Sequence, residues 1–209
     1  MAAVYTSNRC KANPVLFSQK VTAGGGARAV VLNSGGANCF TGQFGYETTE
    51  MTAAEVAAGL TATGTEPVTA SDVVVCSTGL IGVGDQTWRD TLLGGITPAI
   101  NALSTTGGED AARAIMTTDT VPKNIEVSVG DCTIGGIAKG AGMLAPALAT
   151  MLVVLTTDAQ LTPEELDSAL RHATARSFDR LDSDACMSTN DTVVLMSSGA
   201  SGVHPDLDA

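Results

Sequence analysis

The segment from Lys139 to Leu152 sets a lysine and a threonine at opposite ends of a run of glycine, alanine and other small or apolar residues. A threonine hydroxyl is a weak nucleophile unless a base stands beside it, and an N-terminal amine on the same residue is such a base. Cutting the bond before Thr150 creates that amine. Attack of the Thr150 hydroxyl on the Ala149 carbonyl gives an ester, which water opens. The small residues ahead of the bond allow the tight turn this attack needs. On local pattern alone the better reading of Thr150 is simply the first residue of a strand, where threonine is common. Lys139 follows the apolar pair Ile137-Ala138, so it stands at a strand end where its charge could meet a substrate carboxylate. A phosphate loop is excluded, because Ala141 follows Gly140 where GxxxxGK[ST] requires lysine.

Other segments have weaker chemistry. Cys76-Ser77-Thr78-Gly79-Leu80-Ile81-Gly82 follows an apolar strand directly, and such a strand end can offer a hydroxyl and a backbone N–H to a developing oxyanion. The same residues also make an ordinary turn. Met116-Thr117-Thr118-Asp119-Thr120 is a polar cluster after a helix, either hydroxyls lining a pocket or a turn with side-chain bonds to backbone. Asn33-Ser34-Gly35-Gly36-Ala37-Asn38 reads as a loop or backbone nest. The acidic Asp182-Ser183-Asp184-Ala185 lacks the glycine and final glutamate of a calcium loop and reads as solvated. His172 and His204 have no triad around them and read as surface residues.

The elements that must position these groups follow from patterning. With 209 residues, one domain or a tightly joined pair is expected. Hydrophobic residues make up 44% but aromatics only 3%, so the core must be built from aliphatic side chains. Strands are expected at Met1–Thr6, Arg28–Asn33, Asp72–Cys76, a half-buried Ile125–Val129, a partner starting at Cys132 after a Gly130-Asp131 turn, Met151–Leu155, and Thr192–Met196. Helices are expected from a capping box at Thr52–Glu55, around Trp88–Ile96 with an interruption at Gly94-Gly95, over Glu109–Met116, and from Thr162-Pro163-Glu164-Glu165. The last should bury Leu166, Ala169, Leu170, Ala173 and Phe178. Mixed strands and helices with a hairpin give an α/β (α+β) class.

Composition narrows the function classes. A net charge of −11 without a basic run argues against a nucleic-acid partner. Five scattered cysteines without a CxxC pair argue against a disulfide framework or a zinc site and point to buried thiols in a reducing cytosol. No apolar run is long enough for a membrane span, and the N-terminus lacks a signal peptide's regions. A cytoplasmic location is expected. The chain starts as if inside a strand and stops abruptly, so it reads as a piece of a longer protein, expected to be poorly soluble and inactive by itself.

Taken together and in order, Leu32–Asn38, Cys76–Gly82, Ala114–Thr120, Lys139–Leu152 and Ser188-Thr189-Asn190-Asp191-Thr192 resemble the ornithine acetyltransferase (glutamate N-acetyltransferase) family of arginine biosynthesis. The resemblance implies an αββα sandwich like that of N-terminal-nucleophile hydrolases. It implies self-cleavage at Ala149–Thr150, with residues 1–149 as an α-chain part and 150–209 as the start of a β chain. It further implies Thr150 as nucleophile, Thr78 and Gly79 as oxyanion stabilisers, and Thr117 (or its neighbour Thr118) and Lys139 as substrate-binding residues. The implied reaction moves acetyl from N-acetylornithine to glutamate through acetyl-threonine without metal or cofactor, acetyl-CoA being a further donor in some members. An α2β2 heterotetramer is the implied assembly. The family's substrate-binding residues from later in the chain have no counterpart here. A self-processing aminopeptidase-like hydrolase of the same fold group, and an inactive fragment or interaction domain, are the alternatives.

Overall fold

The apolar strands of this chain are buried on both faces, and alternation divides each of them between two cores. The computed structural model describes residues 1–64, 66–142, 151–182 and 184–207. In chain order its main elements are β1 (Ala2–Tyr5), α1 (Asn13–Thr22), β2 (Ala29–Asn33), α2 (Gly42–Ala62), β3 (Val73–Ser77) and α3 (Gln86–Asn101). Then follow α4 (Gly108–Ala114), β4 (Lys123–Val129), β5 (Cys132–Lys139), β6 (Leu152–Thr157), α5 (Pro163–Arg176) and β7 (Thr192–Ser197). One sheet has five strands in the order β1-β7-β6-β5-β4, and a second pairs β2 with β3 in parallel.

The layering can be read from the side chains. Val74 and Cys76 of β3 and Val30 and Leu32 of β2 face Leu152 of β6, Val194 of β7 and Ala3 of β1, forming the core between the sheets. The alternate residues Val73, Val75, Ala29 and Val31 face α2 and α3 through Ala53, Val56, Ala57, Leu93 and Ile96. On the other side Val153 and Val193 meet Leu166 and Leu170 of α5, with Ala2 and Val4 beside them. Helix, sheet, sheet, helix is the αββα sandwich. Each fully buried leucine of α5 contributes roughly 1.5–3 kcal/mol to it. The N-terminus of α5 forms as its sequence requires, with Thr162 and Glu165 in a reciprocal capping box.

Helix α1 covers the outer edge of β3. Ser18 is fully buried and its Oγ both donates to the Val75 carbonyl (2.8 Å) and accepts the Val75 N–H (2.9 Å), so a hydroxyl completes the ladder where no strand follows among the described residues.

Several expectations need correction. Helix α2 starts at Gly42, ten residues before the anticipated cap, so Thr52 lies mid-helix and its hydroxyl bonds the Thr48 carbonyl (2.7 Å) instead. Helix α3 runs unbroken through Gly94-Gly95, because packing of Leu93 and Ile96 outweighs glycine's weak propensity. Every residue of β4 is exposed, so its alternation marks no buried face among the described residues. On α5 Ala173 is exposed and Thr174 is buried, continuing the four-residue stripe from Leu166 and Leu170. All five cysteines are free, but Cys10 and Cys186 are exposed rather than buried.

Candidate functional site

Parallel pairing of β2 and β3 brings the two loops that leave them side by side. The Thr78 N–H donates to the Asn33 carbonyl (3.0 Å), Leu80 N–H to Gly35 (3.2 Å), and Ala37 N–H to Leu80 (2.9 Å). This strapped double loop requires a glycine at 79. Its φ is +128°, and a β-carbon there would lie 2.4 Å from the Gly35 carbonyl carbon. The same loop is braced from behind by Trp88, whose indole lies against Gly36.

Lys139 enters this corner from the last position of β5. It is only 2% exposed, and its Nζ donates to the Thr78 Oγ1 at 2.9 Å. Because Thr78 accepts that bond, its own hydroxyl hydrogen is left to donate elsewhere. The neighbouring Gly79 N–H makes no hydrogen bond among the described residues. Two donors, one side chain and one backbone, thus stand together beside a cation. Burial pulls the Lys139 ammonium below the ordinary lysine range, while the carboxylates of Asp119 and Asp191 partly hold it up.

The third wall is the turn after α4. Asp119 accepts the N–H groups of Gly140 (2.8 Å) and Thr117 (3.3 Å) and pairs with the Lys123 ammonium. Burial raises its pKa, but these partners outweigh burial and hold it below the usual carboxylate range. One carboxylate therefore ties the Thr117 turn to the residue after Lys139. Together Gly35, Thr78, Gly79, Thr117, Thr118 and Lys139 line a cleft of about 500 Å³.

Of the site residues expected from sequence, Thr78, Gly79, Thr117 and Lys139 share this cleft, as does the alternative Thr118. Ala149 and Thr150 lie outside the described residues. Asp119 sits within the Ala114–Thr120 motif, and Asn190 and Asp191 within Ser188–Thr192, yet sequence reading gave none of them a role. Their signal was a polar residue inside a motif next to an apolar strand; the contacts that give it meaning are distant in sequence. Among the described residues no cluster of His, Cys, Asp and Glu could hold a metal ion, and no helix is long and apolar enough to cross a membrane.

Comparison with known proteins bears on the chain as a whole. The model of the ArgJ family matches residues 1–209. The arginine biosynthesis bifunctional protein ArgJ of Streptomyces coelicolor is 59% identical over 208 residues, covering 100% of this chain and 52% of that protein. Its Mycobacterium leprae counterpart is 56% identical over 213 residues, covering 99% and 52%. The chain thus spans about half the length of these relatives. Among solved structures, ornithine acetyltransferase from Mycobacterium tuberculosis complexed with ornithine superposes with a TM-score of 0.64 at 46% identity, covering 72% of this chain and 76% of that one. A Bacillus halodurans ArgJ structure gives 0.54 at 28%, covering 73% and 76%. A matching family model over the whole chain, with relatives and a solved structure of similar sequence and fold, makes this chain a member of the ArgJ family.

Proposed function

We propose that the full-length protein transfers an acetyl group from N-acetylornithine to glutamate through an acetyl ester on Thr150, after cutting its own chain at Ala149–Thr150. The observation that carries this reading is the convergence of the Thr78 hydroxyl, the Gly79 N–H and the Lys139 ammonium on one cleft. In the cleavage step the Thr150 hydroxyl attacks the Ala149 carbonyl, the amide C–N bond breaks, and the acyl group passes to oxygen. Water then hydrolyses that ester, leaving the Ala149 carboxylate and a free Thr150 amine. In the transfer step this amine takes the hydroxyl proton as the oxygen attacks the acetyl carbonyl of N-acetylornithine. Thr78 and Gly79 stabilise the tetrahedral oxyanion, an arrangement in which one donor is worth about a hundredfold in rate or more. The C–N bond breaks and the proton goes to the departing amine of ornithine; glutamate's amine then attacks the acetyl-threonine, the ester C–O bond breaks, the amine's proton returns to the Thr150 oxygen, and N-acetylglutamate leaves.

Both substrates have an α-carboxylate, and Lys139 with the Thr117 hydroxyl (or that of Thr118) is the pair to receive it. Acetyl-CoA serves as a further donor in this reading, in keeping with the word bifunctional in the names of the relatives. Residues 1–149 belong to the α chain, 150–209 begin the β chain, and the cytoplasmic assembly is α2β2. No step requires a metal or organic cofactor, because a side-chain ester carries the group.

The test is mass spectrometry of the full-length gene product. It should appear as two chains divided at 149/150, and the chain beginning with Thr150 should gain one acetyl group on exposure to N-acetylornithine. Thr150→Ala should stay uncut and unacetylated. A Thr150→Ala protein cut at the same bond, or a wild type that hydrolyses small peptide amides without moving acetyl, would overturn the reading.

A further inference from the structure

Lys139 is a buried cation with no carboxylate in contact. Among the described residues its Nζ bonds only the Thr78 hydroxyl and makes no ion pair. Charges taken out of water are ordinarily paired, so this one is built to meet an anion from outside the fold. Charged groups nevertheless face it from several elements. They are the carboxylates of Asp119, in the turn after α4, and of Asp191, ahead of β7, and the Lys123 ammonium at the start of β4. Asp184 stands on the wall of the same cleft. Asp191 is engaged by the Met151 N–H at 2.9 Å.

Asp119 is the carboxylate whose bonds explain why no pair closes on Lys139. Its side chain is 1% exposed, and both of its oxygens are in use. Oδ1 accepts the Gly140 N–H (2.8 Å) and the Lys123 ammonium, and Oδ2 accepts the Thr117 N–H (3.3 Å). The Lys123 ammonium also donates to the Gly140 carbonyl (3.2 Å), so one ion pair holds both polar groups of the Gly140 backbone. It does so where the β4–β5 ladder stops. The last partners are Lys123 and Ala138, and the residue before Lys123 is Pro122, which has no N–H to give. Gly140 has a φ of +150°, a conformation open to glycine, and β5 ends directly before it at Lys139.

We propose that Asp119 is a positioning residue for acetyl transfer, which sets Thr117 and Lys139 at a fixed spacing and leaves the Lys139 ammonium unpaired for the substrate's α-carboxylate. This rests on the reading of Lys139 as the group that receives that carboxylate. Gly140, Thr117 and Lys123 occupy the Asp119 oxygens, so Asp119 does not compete with the substrate for Lys139. Its charge still acts across the gap. Burial pulls the Lys139 ammonium below the ordinary lysine range, and Asp119 is the foremost of the carboxylates that hold it up. Without the Asp119 charge, Lys139 gives up its proton at lower pH, and the cation that binds substrate is lost with it.

The test measures acetyl transfer by the full-length gene product with Asp119→Asn, run beside wild type and Lys139→Met. Asp119→Asn keeps an acceptor for the Gly140 N–H but loses the charge and the second acceptor. It should raise KM for both N-acetylornithine and glutamate by about tenfold or more, with kcat within about threefold of wild type. The alkaline fall of kcat/KM for N-acetylornithine should also move to lower pH. A role in stability alone moves neither readout. Asp119→Asn with wild-type KM, or with the alkaline fall unmoved, overturns the proposal. If Asp119→Asn does not fold, Asp119→Glu is read instead. With the charge kept and the bonds displaced, it should raise KM and leave the alkaline fall in place; a wild-type KM or a moved fall is equally fatal. If wild type moves no acetyl, or Lys139→Met keeps wild-type KM, the functional reading has failed. If Lys139→Met raises KM while Asp119→Asn behaves as wild type, only the positioning role has.

Discussion

Within the same five-stranded sheet, the entry to β7 and the strand β4 are built differently. Ser188 to Thr192, leading into an interior strand, are polar and almost wholly buried, and fixed backbone groups take up their hydrogen bonds. Lys123 to Val129, on an outer strand, are all exposed, including Ile125 and Val127. At the first place a lost bond leaves a carbonyl or N–H with no water to replace it, so each contact has a large consequence. At the second, water replaces whatever is removed. The cleft lies next to the first region, and this is the reason its donors can be held in one geometry.

Substitutions graded across the two regions test that contrast. The largest effect is expected for Asn190→Ala, which strips the Ala37 and Ser77 carbonyls of their donor. At about 1–3 kcal/mol for each buried group left unpaired, a loss of several kcal/mol should appear in urea unfolding, together with loss of acetyl transfer. A loss below 1 kcal/mol would erase the distinction between the regions.

Next comes the cleft itself, where the expected loss is of rate and binding rather than of fold. Thr78→Ala should slow transfer by about a hundredfold or more in a protein of near-normal stability. Lys139→Met should raise KM for both N-acetylornithine and glutamate, since both have the carboxylate assigned to it. Specificity constants unchanged for both would remove Lys139 from the substrate site.

Ser18→Ala probes the same rule away from the cleft. It unpairs both backbone groups of Val75, and at about 1–3 kcal/mol for each should cost several kcal/mol by denaturant unfolding, as Asn190→Ala does, but with kcat unchanged.

A smaller effect concerns pH. Burial pushes the Asp191 carboxyl up to about 7, against the pull of its bond to Met151 and of the facing Lys139 ammonium. Because the folded value lies above the ordinary one of 3.8, the contribution of this group to stability is full below that value and is lost as pH rises through about 7. The stability of Asp191→Asn relative to wild type should therefore improve over that interval. A flat difference would mean that Asp191 does not titrate there. The smallest effect is expected for Val127→Thr on β4, within about 0.5 kcal/mol of wild type.

The α/β (α+β) class and most elements were legible because apolar runs such as Val73-Val74-Val75 and Leu152-Val153-Val154 have no other stable home than the interior of a layered sheet, while the αββα order of layers came from the family resemblance. The capping box before α5 was legible because its bonds span three residues. The box at Thr52–Glu55 has the same letters yet sits inside a helix, since nothing local reveals that α2 already started at Gly42. Exposure of β4 was equally hidden, because alternation reports which residues share a face and not whether anything covers it.

The candidate site divides along the same line. Sequence picked out Thr78, Gly79, Thr117 and Lys139 through the resemblance of several motifs, in order, to one family, whereas the local pattern around Thr78 and Thr117 fits an ordinary turn as well. It also determined the aliphatic core and the acidic balance, which are properties of composition. Only the tertiary structure decided that the Lys139 ammonium rests on the Thr78 hydroxyl, that Asp119 ties the Thr117 turn to Gly140, and that Asn190 and Asp191 grip Ser77 and Met151. Those partners lie far apart along the chain. Hydrogen bonds at such separations depend on how strands register and layers stack, which is fixed by the packing of the whole sandwich and left unmarked in any short stretch of residues.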